Sequence, residues 1–142
     1  YVNSNQLGGS IPSSMGNLSL LVNLVLEYNQ LTGQIPESLG SLTNLEVSSA
    51  KLNYLTGIIP SSFGKWATMT YLDLSVNNIT GSIPDTFSNL KAMKFAYANK
   101  LTNNLPSSLG QLTALVHLIL SNNQLSGQIP ESLGNLASLE VL

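Results

Sequence analysis

Cysteine is absent from the 142-residue chain, and so is arginine, since all five basic residues are lysines. The first absence excludes a disulfide framework and any thiolate metal site. Charged residues make up only 8% of the chain and the net charge is -2. Such a surface has no cluster of Lys and Arg with which to displace counterions from phosphates, so a nucleic-acid partner is not expected. Histidine occurs once, at His117. The acids Glu27, Glu37, Glu46, Asp73, Asp85, Glu131 and Glu140 fall at unrelated or solvent-facing columns of the pattern described below. No acid/base pair, nucleophile or metal cluster is implied, so no enzyme activity and no cofactor are expected. The longest apolar stretch, Leu18 to Leu26, is interrupted by Ser19 and Asn23 and is too short to span a bilayer. No signal peptide is visible at Tyr1, so any secretion signal is expected to have been removed or to lie outside this chain.

What the chain has is a repeat. Asn5, Asn29, Asn53, Asn77, Asn99 and Asn123 follow one another at spacings of 24, 24, 24, 22 and 24 residues. A period in this range marks a solenoid, in which each unit buries its core against its neighbours. Two residues after each asparagine stands Leu7, Leu31, Leu55, Ile79, Leu101 or Leu125, and four residues after it a glycine, except at Asn103. Next comes Ile-Pro or Leu-Pro, which uses all six prolines of the chain. Further apolar columns run through Leu39, Phe63, Phe87 and Leu109, through Leu42, Trp66, Leu90 and Leu112, and through Leu45, Met69, Met93 and Leu115.

Alternation in Leu24-Val25-Leu26, Leu72-Asp73-Leu74 and Leu118-Ile119-Leu120 predicts a short strand with leucines inward and the residue between them outward. Stacked at roughly 4.8 Å, these strands form a parallel sheet. The asparagine that follows is expected to turn inward, because an amide carries donors and an acceptor for backbone groups where the chain bends. Asn5, Asn29, Asn53, Asn77, Asn99 and Asn123 are therefore read as a structural ladder. The run after each proline, such as Pro130 to Leu139, reads as one or two short helical turns, partly 3₁₀.

Written out, the unit is LxxLxxLxLxxNxLxGxIPxxLGx, which resembles the plant-specific class of leucine-rich repeat found in receptor-like kinase ectodomains, receptor-like proteins and polygalacturonase inhibitors; the resemblance runs over the whole chain. It implies an α/β solenoid: a right-handed superhelix of six repeats, the fifth cut to 22 residues, with the parallel sheet on the concave face and 3₁₀ or helical turns on the convex face. It further implies that the LxGxIP segment forms a second short strand. Cysteine-bearing caps, usual in this family, are missing here.

Two repeats depart from the pattern. In the third, Ser48 and Ala50 hold columns that are leucine elsewhere and are expected to leave space in the core. In the fifth, the shortening is read between Leu90 and Asn99, within Lys91 to Ala98, so that its strand must bulge or tighten and Phe95 and Tyr97 have no assigned side. Residues 1–142 are read as a single uncapped segment, because Leu142 hands on to Tyr1 in the phase of the repeat. This suggests a segment of a longer array or, alternatively, subunits stacked head to tail through their Tyr1 and Leu142 ends into a filament.

On the resemblance, the function expected is that of a non-catalytic, extracellular interaction scaffold at the cell surface or in the cell wall, a segment of a recognition ectodomain binding protein, peptide or cell-wall glycan. The outward residues Asn23, Val25, Glu27, Tyr28, Lys51, Tyr71, Asp73, Ser75, His117 and Ile119 form the candidate concave binding face. Asn17-Leu-Ser19 and Asn78-Ile-Thr80 are acceptor sequons that make Asn17 and Asn78 candidate N-glycosylation sites. Inhibition of polygalacturonases and ice binding are further alternatives, the second suggested by Ser/Thr columns at Thr32, Thr56, Thr80, Thr102 and Ser126 and at Ser14, Ser38, Ser62, Thr86, Ser108 and Ser132. Such hydroxyls more often serve turns and helix starts.

Overall fold

The computed structural model describes the chain apart from Lys94, Ala98 and Asn99, with Phe95 to Tyr97 described by backbone alone. Eight short strands occur among the described residues: β1 (Gly8–Ser10), β2 (Asn23–Val25), β3 (Gln30–Gln34), β4 (Val47–Ser49), β5 (Tyr54–Thr56), β6 (Tyr71–Asp73), β7 (Phe95–Tyr97) and β8 (His117–Ile119). They form two parallel sheets, β2-β4-β6-β7-β8 and β1-β3-β5. The first is the sheet expected from the alternating leucines. The second is the one that the resemblance implied from LxGxIP, and past β5 it thins to the isolated bridges Ile58↔Thr80 and Asn104↔Ser126.

Opposite the large sheet, a five-residue 3₁₀ turn follows every proline: Ser13–Asn17, Glu37–Ser41, Ser61–Lys65, Asp85–Asn89, Ser107–Gln111 and Glu131–Asn135. Each proline holds φ between -61° and -70° with extended ψ, which delivers the chain into the turn. Between the two layers lies a continuous core. Leu42, Leu45, Leu55, Trp66, Met69, Ile79, Leu90, Leu101 and Leu115 are all fully buried. The Trp66 ring stacks on Phe63 at 3.6 Å, and its indole N–H donates to the Leu39 carbonyl at 3.1 Å, so the largest core side chain is polar-satisfied across a repeat boundary.

The asparagine column lies inside. Asn29, Asn53 and Asn77 are buried. Asn53 Nδ2 donates to the carbonyls of Leu26, Ala50 and Lys51, while its Oδ1 accepts the Leu31 N–H at 3.0 Å. Asn29 and Asn77 repeat that pattern one unit before and one after. Each amide thus ties its own turn to the repeat before it, and a buried donor or acceptor left open there would cost about 1–3 kcal/mol. At the margins the column is less buried: Asn123, whose Oδ1 still accepts the Leu101 N–H at 2.6 Å, is half-buried, and the side chain of exposed Asn5 donates to the Val2 and Asn3 carbonyls of its own turn. Asn99 lies outside the described residues.

Two further devices clamp the convex side. The hydroxyls of Ser38, Ser62, Thr86 and Ser132 donate to the carbonyls of Ser13, Glu37, Ser61 and Ser107 in the preceding turn, at 2.6–2.8 Å. Glycines 16, 40, 64 and 110 bring the turns that close, since a Cβ on Gly40 would meet the Ser62 carbonyl oxygen at 2.7 Å. In the fourth repeat Ser88 replaces this glycine, and there the Ser108 hydroxyl turns from backbone to the Asp85 carboxylate at 3.1 Å.

The register corrects the reading of the shortened repeat. β7 pairs without a bulge, Tyr71↔Phe95↔His117 and Asp73↔Tyr97↔Ile119. The two missing residues are therefore displaced past the strand: Asp73 to Ile79 takes six steps, whereas Tyr97 to Leu101 takes four. Ala96 takes the inward register position between Leu72 and Leu118, so β7 keeps the alternation of its neighbours. Ser48 and Ala50 are buried in their leucine columns, with Ser48 in register between Leu24 and Leu72. A cavity of about 20 Å³ lies further on, among Leu72, Leu74, Phe87, Met93, Leu118 and Leu120, beside the register position held by Ala96.

Candidate ligand-binding face

The outward side of the five-stranded sheet is where the register brings most of the expected residues together. Asn23, Val25, Tyr71, His117 and Ile119 lie within β2, β6 and β8 and are half-buried. Phe95 and Tyr97 take register positions in the same two rows, beside Tyr71 and His117 and beside Asp73 and Ile119. Glu27, Lys51 and Ser75 lie just past the ends of β2, β4 and β6, half-exposed on the strip where the strands turn.

Two expected residues behave differently. Asp73 is not a solvent-facing residue: it is 2% exposed. Its Oδ1 accepts the Ser75 N–H at 2.8 Å, and its Oδ2 lies 3.4 Å from the Tyr71 hydroxyl and 3.9 Å from Lys51 Nζ. These neighbours close over the short carboxylate, so it is a support beneath the face rather than a contact on it. Tyr28 is exposed but lies outside β2, at φ +56°. The same left-handed geometry recurs immediately before the ladder at Ser4, Leu52, Val76 and Asn122. At Val76 it is a costly conformation for a β-branched residue, held by the paired turn around it. In the glycine column, Asn103 adopts φ +64° in place of glycine, which asparagine tolerates better than most residues.

Sequence reasoning missed several neighbours. Ser49 is buried beside Asp73 in the outward row, and its hydroxyl donates to Glu27 Oε2 at 2.7 Å. Tyr54 and Lys100 stand one residue after the ladder position, on the rim, where only the side-chain column signals them. His117 Nε2 lies 4.0 Å from Glu140 at the far end of the sheet. Among the described residues no group of three His, Cys, Asp or Glu is placed to hold a metal ion, and no helix is long and apolar enough to cross a membrane. Asn17 is the last residue of its 3₁₀ turn and is exposed; Asn78 is also exposed, and its Oδ1 accepts Lys100 Nζ at 2.6 Å. Of the Ser/Thr columns, the one starting each 3₁₀ turn has most of its hydroxyls committed to carbonyls, as above, and Thr80 Oγ1 donates to Gly57 at 3.2 Å.

The leucine-rich repeat family model matches residues 20–42, 68–90 and 114–136. The chain superposes on the ectodomain of the Arabidopsis thaliana membrane receptor kinase GASSHO1/SCHENGEN3, solved with CASPARIAN STRIP INTEGRITY FACTOR 2, with a TM-score of 0.94 and 37% identity over 100% of this chain and 17% of that one. The chain is a plant-type leucine-rich repeat protein. A second likeness of this leucine-rich repeat chain is to the Arabidopsis receptor kinase HAESA, solved with the peptide hormone IDA and the co-receptor SERK1: TM-score 0.92, 35% identity, 99% of this chain and 25% of that one. A plant ice-binding protein matches at 28% identity and a TM-score of 0.86, over 99% of this chain and 49% of that one. No curated protein matches the sequence. The chain thus spans between about a sixth and a quarter of the length of the receptor chains it matches.

Proposed function

We propose that this chain is a non-catalytic, ligand-binding segment of an extracellular recognition array, and that its ligand is a peptide laid across the outward face of β2, β4, β6, β7 and β8. The observation that carries this reading is the unbroken register of that sheet through the shortened repeat, which keeps Tyr71, His117, Val25 and Ile119 on one continuous surface. Half-buried aromatic and aliphatic side chains set among polar ones suit a peptide, whose backbone needs hydrogen-bonding partners while its side chains seek apolar contact. Support comes from the receptor kinase HAESA, solved with a peptide hormone, to which the chain is similar.

Exposed Asn17, at the end of a convex turn and away from that face, is the position we assign to a glycan. The binding reading is tested by selecting displayed peptides on the immobilised chain. Recovered peptides should lose about tenfold or more in affinity on Tyr71→Ala or His117→Ala, the loss typical of a central interface residue. Recovery of no peptide, or of peptides indifferent to both changes, would contradict it.

A further inference from the structure

The second sheet, β1-β3-β5, has an outward side of its own, separate from the peptide face. Alternation along β3 and β5 turns Leu31 and Leu55 into the core and leaves Gln30, Thr32, Gln34, Tyr54, Thr56 and Ile58 exposed. The pairing sets them in rows, Thr32 beside Tyr54 and Gln34 beside Thr56, and Ile58 stands at the bridge to Thr80. All six are uncharged. Charge enters only after the sheet has thinned, at Lys100, whose Nζ donates to Asn78 Oδ1 at 2.6 Å.

Two features make this side a platform. The glycine column gives side chains room to lie flat: a Cβ on Gly57 would meet the Gln34 side chain at 2.7 Å, and one on Gly81 would meet Ile58 Cγ2 at 2.8 Å. Gln34 and Ile58 therefore rest across the backbone of the next repeat, while Tyr54 is 58% exposed. The polar groups are also uncommitted. Convex Ser and Thr hydroxyls donate to carbonyls, and so does Thr80, to Gly57. Among the described residues, by contrast, the side chains of Gln30, Thr32, Gln34, Tyr54 and Thr56 have no hydrogen-bond partner within the chain. Each of them can both donate and accept.

We propose that this face binds a neutral, extended β-1,4-linked polysaccharide laid across the strands, with one pyranose ring stacked on Tyr54 and the sugar hydroxyls bonded to the amides and hydroxyls of β3 and β5. The lack of charge selects an uncharged ligand, because an acidic polymer finds no cation here to offset its desolvation. A pyranose ring offers C–H faces to a phenol and hydroxyls around its rim, and those hydroxyls need partners that donate and accept alike. The periods agree as well: parallel strands stand about 4.8 Å apart, close to the length of one ring in such a chain, so successive rings meet successive repeats. A protein partner would need an apolar centre, and Tyr54 and Ile58 are the only apolar side chains among the six. A flat ice lattice would be held off by the projecting Tyr54. The site is independent of the peptide face, so both can be occupied at once.

The test is titration of the chain with cellohexaose, with mannohexaose and, as the charged control, with hexagalacturonate, followed by calorimetry and backbone amide NMR. A neutral hexamer should bind saturably and shift amides along β3 and β5 but not along β2, β6 and β8, while hexagalacturonate stays inert. Tyr54→Ala should weaken that binding about fivefold to tenfold, the loss expected for one stacked ring. Tyr54→Phe should keep most of it, and Tyr71→Ala, on the other sheet, should change nothing. Because Tyr54 is exposed, its removal should leave the thermal midpoint where it was. Failure of both neutral hexamers to bind, equal binding of hexagalacturonate, or binding indifferent to Tyr54→Ala overturns the proposal. So does dimerisation in sedimentation, or shaping of ice crystals, that Tyr54→Ala abolishes, since the face would then belong to a second copy of the chain or to ice.

Discussion

Repeats two to four and repeats five and six have the same columns but are tied together differently. In the first group the asparagine ladder is buried and fully bonded, and β3 and β5 carry the second sheet before it thins to the bridge Ile58↔Thr80 at the fourth repeat. In the second group Asn123 is half-buried, the second sheet is reduced to a bridge, and one turn is two residues short. Yet β6, β7 and β8 stay in register across that change. The difference shows which parts of a repeat are independent. Strand position follows the pairing with the strands on either side even where Ser48 or Ala96 replaces the inward leucine, while the sequence after the strand can be shorter provided that the next leucine, Leu101, reaches its column. A binding face built on the strands survives such a loss.

The largest effect expected from this contrast is at the ladder. Asn77→Ala strips partners from the Leu55 N–H and from the carbonyls of Ala50, Leu74 and Ser75. It should cost about 4 kcal/mol in urea unfolding, whereas Asn123→Ala, half-exposed, should cost about 1–2 kcal/mol. Equal losses would mean that the two groups are bonded alike. Next comes the convex clamp: Gly40→Ala pushes a Cβ onto the Ser62 backbone and should cost about 2–3 kcal/mol. Ser88→Gly, at the equivalent column where the fold already accommodates a side chain, should change stability by under about 1 kcal/mol. Smaller again is the left-handed turn. Val76→Asn should stabilise by about 1 kcal/mol by relieving a β-branched residue at φ +56°, and Asn122→Gly by a few tenths, about what replacing a residue already tolerant of that region gains. Thermal midpoints of the two variants would rank them.

Most of the fold is legible in the sequence because each column is written six times: the strands of the long sheet, the 3₁₀ turns, the core leucines and the buried asparagines follow from the pattern, while the second sheet was implied by the family resemblance. Single-copy features are harder to read. Asp73 occupies an outward column and reads as solvated, yet Tyr71, the Ser75 amide and Lys51, from positions before, after and one repeat away, close over it. The shortened repeat could be counted but not located, since either side of β7 could lose residues until the pairing with β6 and β8 was seen. The left-handed residues before the ladder carry no common side chain, being Ser, Tyr, Leu, Val and Asn, so nothing in the composition marks them.

The central claim, that the outward face of the long sheet and not the convex side takes the ligand, is tested most directly by amide hydrogen exchange of the chain with and without a recovered peptide. Protection on binding should appear along β2, β4, β6, β7 and β8, with the turns Glu37–Ser41, Ser61–Lys65 and Ser107–Gln111 unchanged. Protection confined to those turns, or to the β1-β3-β5 sheet, would contradict it.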